Sequence, residues 1–241
     1  MYGPEERLLQ FPALLNVRDL GGHPTRDDER TRYRSLLRAD DLAQLTGDGL
    51  RALHDYGVQT VIDLRWPEEI ALSPNPAAAR DAGIRYVHVS LLGATAAYWR
   101  EVSEDCEKEW WKCLVLEQAR DELRQVLQVI AAADSAPLLF HCVAGKDRTG
   151  IIAALLLALA DVEADAIAAD YAASTRMLSD AYLRKYPHAD PGDILESVRC
   201  PEAGVHNMLQ YLQQQGGVRA YLHAIGLHET AIRRLRARLR G

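Results

Sequence analysis

The sequence predicts an α/β fold in which a small central sheet is surrounded by helices and the C-terminal half is helix-rich. Three observations carry this reading. Short β-branched or apolar runs occur early in the chain and are interleaved with helical stretches. One of them, Pro137 to Phe140, leads through a turn into a continuously apolar helix. From there to the end the pattern is almost wholly helical, as expected where helices pack around a sheet.

Each element has a local reason. A helical stretch from about Asp48 to Tyr56 is stopped by Gly57. Thr60-Val61-Ile62-Asp63-Leu64 reads as a buried strand, and the alternating segment from Ile84 to Leu91 as another. A long helical zone covers roughly Glu109 to Ala133, and Pro137-Leu138-Leu139-Phe140 reads as a short central strand. The apolar helix begins near Arg148; later breaks fall at Pro187 to Asp193 and at Gly216-Gly217. No repeat, linker or low-complexity tract divides the chain, so residues 1–241 read as a single domain.

Composition narrows the function classes. The 241 residues are 48% hydrophobic and 26% charged, an ordinary globular balance. With 28 Lys+Arg against 34 Asp+Glu, the net charge of −6 argues against nucleic-acid binding. The longest apolar run, Ile151 to Ala160, is too short to cross a bilayer. The N-terminus lacks a basic start followed by a long apolar stretch, and 4 Cys make no disulfide framework. The expectation is a soluble cytoplasmic protein without a transmembrane segment; the sequence sets no oligomeric state.

One segment carries chemistry: His141-Cys142-Val143-Ala144-Gly145-Lys146-Asp147-Arg148-Thr149-Gly150. Five residues separate Cys142 from Arg148, between a strand and a helix. With the small Ala144 and Gly145 inside, the N–H groups from Val143 to Arg148 can turn inward and cradle a phosphate dianion at the helix N-terminus. The same positive end favours a thiolate at Cys142. Arg148 offers a fork matched to phosphate oxygens. Thr149 is placed to donate its hydroxyl to the thiolate, and His141 to orient the loop through its backbone. A nucleotide-binding loop would need Ser or Thr after Lys146 and Gly at position 140, where Asp147 and Phe140 stand. No metal-ligand spacing appears, and no cofactor is called for.

This segment resembles the signature of cysteine-dependent phosphatases, and more narrowly that of the atypical bacterial tyrosine/serine phosphatases. Asn16-Val17-Arg18-Asp19-Leu20-Gly21-Gly22, Arg34-Ser35, Asp63-Leu64-Arg65, Tyr221-Leu222 and Gly226-Leu227 resemble further motifs of that family. The resemblance implies a cysteine-phosphatase-like fold and a two-step mechanism. Cys142 attacks phosphorus to form a phosphocysteine while an acid protonates the leaving oxygen, and water then hydrolyses the intermediate. The implied substrates are phosphotyrosine, with phosphoserine, phosphothreonine or phosphoinositide as further classes, so the partner is a phosphorylated protein or a phosphoinositide. A rhodanese-like sulfurtransferase and a catalytically silent phosphate-binding module are the competing readings. The first usually has another Cys-to-Arg spacing, and the second typically loses Cys or Arg.

Three acids compete for the proton. In the resembled family a loop Asp is proposed, which here is Asp147. Asp63 ends a strand on what should be the loop side of the sheet, or else it simply pairs with Arg65 or an N-terminal Arg. Trp66-Pro67-Glu68 mimics the acid loop of conventional tyrosine phosphatases, but Pro followed by two Glu is also a helix start. Lys146 either reads a multiply phosphorylated substrate or only raises the local potential.

Smaller signals remain. Residues 94–111 hold Tyr98, Trp99, Trp110 and Trp111, which fit either a lid over the pocket or an extra helix packed on the core. Cys106 and Cys113 lie too far apart on one helix face for a disulfide; Cys200 reads as structural, or as an oxidation partner for Cys142. The last helix places Ile232, Leu235 and Leu239 on one face and five Arg around it. That suits docking by the apolar stripe better than lying on an anionic membrane.

Overall fold

In the computed structural model, residues 7–76, 83–93, 99, 101, 109–134 and 136–240 are described. Five strands, β1 (Arg18–Asp19), β2 (Leu36–Ala39), β3 (Thr60–Asp63), β4 (Arg85–His88) and β5 (Leu138–His141), form one sheet in the order β1-β2-β5-β3-β4. β1 is antiparallel to β2; every other pairing is parallel. The predicted central strand, β5, does lie in the middle.

Side-chain alternation splits the core in two. Leu36, Ile62, Leu138 and Phe140 point into one cluster, and Leu37, Val61 and Leu139 into the other. The smaller cluster is covered by α1 (Gly47–Tyr56) through Leu53. Gly57 ends that helix in the left-handed conformation at φ 97°, as the sequence predicts.

The larger cluster holds the remaining long helices. The long helical zone predicted from about Glu109 to Ala133 holds two helices, α3 (Trp111–Gln118) and α4 (Arg120–Ala132), parted at Ala119. α5 (Asp147–Leu159) is buried over nearly its whole length, which explains a sequence with no polar face. Against it pack α6 (Ala164–Lys185), α9 (Val218–Ala224) and α10 (Glu229–Arg240), while α7 (Pro191–Val198) and α8 (Ala203–Gln214) pack on α6. A short α2 (Pro67–Leu72) follows β3, so Pro67 and the acidic residues after it do open a helix.

The last helix docks by its apolar stripe, with Ile232, Leu235 and Leu239 buried. Its arginines are largely spoken for. Arg236 pairs with Asp161 at 2.6 Å, Arg240 with Asp27, and the Arg238 guanidinium donates to the carbonyls of Asp134 and Ala136 at 2.7 and 2.8 Å. Trp99 and Trp111 meet edge to face at 6.4 Å against the core. The rest of the lid question, with Tyr98 and Cys106, lies outside the described residues. No described helix is long and apolar enough to cross a membrane.

The register positions the site. Ala39, His141, Asp63 and His88 sit side by side across four parallel strands. The strands therefore end level, and the segments that leave them, Asp40-Asp41, Cys142 to Lys146 and Leu64-Arg65, emerge together at the carboxyl edge of the sheet.

Candidate active site

The loop from Cys142 to Lys146 is shaped from outside by its carbonyls. His141 Nδ1 lies 3.0 Å from the Cys142 oxygen. The Asp41 N–H donates to Val143 at 2.9 Å, Asn16 Nδ2 to Ala144 at 2.9 Å, and Arg38 Nη2 to Gly145 at 2.7 Å. Lys146 receives the Gly150 N–H at 2.7 Å. With every carbonyl turned to the scaffold, the amides are left to face the other way. Among the described residues no backbone carbonyl accepts the N–H groups of residues 143 to 148. Such a row of free amides at a helix N-terminus is an anion cradle.

Gly145 makes the tight curve possible. Its φ is +66°, and a Cβ there would lie 2.4 Å from the Ala39 oxygen. The loop thus rests directly on the end of β2. Cys142 is 3% exposed at the start of the loop, and the Thr149 hydroxyl is buried with no hydrogen-bond partner among the described residues.

His141 is neutral and oriented. A carbonyl only accepts, so Nδ1 carries the hydrogen, and Nε2 takes the Asn75 amide at 2.9 Å. Burial pushes its pKa down, although Asp63 opposes this.

Arg148 opens α5 and closes the loop. Its Nη1 and Nη2 reach the two carboxylate oxygens of Glu69 at 2.6 and 2.8 Å, and its guanidinium lies 4.6 Å from the centre of the Trp66 ring. Burial alone would lower its pKa, but Glu69 and Cys142 raise it. The charge is permanent.

Asp147 and Lys146 are paired at 2.8 Å. The Tyr171 hydroxyl donates to Asp147 at 2.9 Å and in turn accepts from the buried Lys112 at 2.9 Å. Burial works to raise the Asp147 pKa, yet Lys146 and Lys112 hold it below the usual carboxylate value. Its side chain keeps 37% exposure.

Asp63 has a different setting. It is fully buried, and both oxygens are engaged: Arg65 pairs with it at 2.7 Å and the Tyr86 hydroxyl donates at 2.9 Å. Burial is outweighed by the hydrogen-bonded Arg65 guanidinium, which keeps it well below the carboxylate range. The pairing with Arg65 that the sequence offered as its plain role is present.

Arg38, Asp40 and Asp170 escaped the sequence reading, and Asn16 and Arg18 stood there only in a motif without a role. Arg38 and Arg18 grip Asp170 of α6 at 2.7 and 2.8 Å, a buried triad behind the loop. Asn16 is held by Arg18 Nη1 at 2.6 Å and reaches the loop from there. Asp40 receives the Asn16 N–H at 2.9 Å, and burial pushes its pKa up to about 6. A folded-state value raised from 3.8 means that stability is fully present below about pH 4 and lost as pH rises through 6. Asp40→Asn, which keeps an acceptor for Asn16, is expected to remove this loss. Its unfolding free energy relative to wild type should climb between pH 4.5 and 7.5, by about 2 kcal/mol. A difference independent of pH would contradict the shifted titration. Among the described residues no cluster of three or more His, Cys, Asp or Glu could hold a metal.

A buried thiol at the mouth of an amide cradle with a guanidinium beside it is an arrangement suited to holding a phosphate ester. The chain belongs to the tyrosine phosphatase family whose model matches residues 9–241, and it is a protein-tyrosine phosphatase. It is 35% identical over 218 residues to a tyrosine-protein phosphatase of Nostoc commune, covering 85% of this chain and 74% of that one. It is 28% identical over 191 residues to the triple specificity protein phosphatase PtpB of Mycobacterium tuberculosis, covering 67% of each. The crystal structure of P. aeruginosa TpbA aligns with 81% of this chain and 98% of its own at a TM-score of 0.42 and 18% identity.

Proposed function

We propose that this phosphatase hydrolyses phosphotyrosine, with phosphoserine, phosphothreonine or phosphoinositide as further substrates, through a phosphocysteine formed on Cys142. The observation that carries this is the loop whose carbonyls are all tied to the scaffold. Its amides are preorganised for the equatorial oxygens of a phosphoryl group and need no rearrangement as charge develops. Cys142 sulfur attacks phosphorus in line, the ester P–O bond breaks, and the leaving oxygen takes a proton. Water then attacks the phosphocysteine, returning the thiolate and inorganic phosphate. Arg148 binds two of the equatorial oxygens, and the unpartnered Thr149 hydroxyl supplies a hydrogen bond to the departing thiolate.

We assign the proton to Asp147. It is the loop carboxylate with solvent access, whereas both oxygens of Asp63 are committed to Arg65 and Tyr86. Tyr171 and Lys146 orient Asp147 from either side. A substrate breadth beyond phosphotyrosine is supported by the name of the mycobacterial relative. A working thiol at Cys142, with Cys113 and Cys200 also outside any disulfide, suits a reducing cytoplasm.

The test is phosphate release from a phosphotyrosine peptide, a phosphoserine peptide and a phosphoinositide, with Cys142→Ser as blank. Turnover is expected to vanish in Cys142→Ser while inorganic phosphate still binds; surviving turnover would end the phosphocysteine reading. Asp147→Asn should lower kcat for an alkyl phosphate about 10²–10⁴-fold and barely affect p-nitrophenyl phosphate, whose leaving group needs no proton. An unchanged alkyl phosphate rate would remove Asp147 from the role.

A further inference from the structure

The acidic residue that touches the phosphate-binding arginine is one for which the reaction as described has no use. Glu69 is the third residue of α2, and its carboxylate meets Arg148 end-on, with Nη1 and Nη2 at 2.6 and 2.8 Å from its two oxygens. It is not a drifting surface partner. Pro67 fixes the first turn of its helix, and the oxygen nearer Nη1 also accepts the Trp66 N–H at 2.7 Å. The Trp66 ring covers one face of the guanidinium at 4.6 Å. Arg148 is held at its end and on a face.

The geometry of a guanidinium decides what this holding does. Arginine has five N–H donors in a planar fork. An end-on carboxylate takes one hydrogen from each Nη and leaves the side edge, Nε–H with the outward Nη hydrogen, free. That edge is itself a bidentate donor matched to a phosphoryl group. Glu69 and a phosphate can therefore occupy Arg148 together, each on its own edge. We propose that Glu69 is a positioning residue, which fixes the Arg148 fork so that its side edge faces the phosphoryl oxygens. This rests on the phosphocysteine reading, because it acts only through Arg148. The alternative is a lock, in which Glu69 occupies the arginine and phosphate must displace it. The two ideas differ in sign.

The experiment compares wild type, Glu69→Gln and Glu69→Ala with p-nitrophenyl phosphate, and measures inhibition by inorganic phosphate and by vanadate. Vanadate bound to a thiolate mimics the five-coordinate transition state. Positioning predicts that kcat/KM falls about tenfold in Glu69→Gln and about a hundredfold in Glu69→Ala, mostly in kcat. Vanadate inhibition should weaken more than phosphate inhibition. In an Arg148→Ala background, Glu69→Ala should cost nothing further. Should Glu69→Ala not fold, Glu69→Gln carries the same comparisons. Tighter phosphate binding with rising kcat/KM would establish the lock instead. An unchanged rate, equal losses for the two anions, or a full additional loss without Arg148 would each overturn positioning. Cys142→Ser run alongside separates the two levels. If it stays active, the underlying reading fails; if it is dead while Glu69→Gln is at wild-type rate, only the role of Glu69 fails.

Discussion

Gly145→Ala is expected to cost at least a hundredfold in kcat/KM, and to lower the melting temperature by several degrees. Two effects combine. The residue sits at φ +66°, where an L side chain costs about 1–2 kcal/mol. The larger effect is steric, since a methyl group would lie 2.4, 2.6 and 2.7 Å from the Ala39 oxygen, the Ala39 carbon and the Asp40 nitrogen. All three are backbone atoms, and Ala39 ends a strand paired with β5, so no rotamer change relieves the clash. The loop must lift off β2. That movement strains the Arg38 bond to the Gly145 oxygen and the Asp41 bond to the Val143 oxygen, and it turns the amides away from the phosphoryl position. A displacement of about 1 Å at such a site is worth on the order of 10² in rate. Gly83 supplies the control: its φ is also +66°, and among the described residues nothing lies within 4 Å of where a Cβ would sit. Gly83→Ala should show the conformational cost alone, with catalysis intact. Equal kinetic effects of the two substitutions would refute the packing argument.

The site was legible where its chemistry is contiguous. His141 to Gly150 announces a strand, a cradle and a helix within ten residues, and Gly57 and Pro67 mark helix ends by backbone rules that act locally. What stayed hidden depends on contacts distant in sequence. β2 is only Leu-Leu-Arg-Ala, where Leu and Ala favour helices and Arg38 interrupts the apolar run. The reason that arginine is tolerated in a buried strand is Asp170, 132 residues further on. Glu69 and Arg148 are separated by 79 residues, and nothing in Pro67-Glu68-Glu69-Ile70 distinguishes the paired glutamate from its neighbour. Likewise α3 and α4 part at Ala119 without a proline or glycine to mark the break in the sequence. Two charges within otherwise apolar or helical stretches, Arg38 and Asp170, were the available clue: a buried charge needs a partner somewhere.

That pair carries the second large effect, on stability and on the site at once. Asp170→Asn is expected to destabilise the fold by about 3–5 kcal/mol, the usual result of removing one partner from a buried ionic cluster. Asp170 is 5% exposed and lies between Arg18 at 2.8 Å and Arg38 at 2.7 Å. Asparagine preserves the volume, so the loss is that of the charge and not of packing. Two buried guanidinium groups would then face each other without an anion; already in the intact protein, burial and Arg38 together lower the Arg18 pKa to about 10. In a chain of this size the melting temperature should drop by roughly 6–20 °C. The pH dependence fixes the cause. Burial favours the neutral acid, but Arg18 and Arg38 outweigh it and hold the Asp170 pKa well below its usual 3.8. A depressed folded-state pKa gives stability that is present above about pH 4 and lost as pH falls toward the folded value. The gap between wild type and Asp170→Asn should therefore be constant from pH 8 to pH 5 and narrow below pH 4. The kinetic consequence runs through Arg38, whose other Nη donates to Gly145 and, at 3.3 Å, to Lys146. Freed from Asp170, that guanidinium no longer pins the carbonyls that turn the amides inward, so phosphate inhibition should weaken even at temperatures where the variant is folded. A variant with lowered stability but unaltered phosphate affinity would confine the triad to the core and leave the loop to hold its own shape.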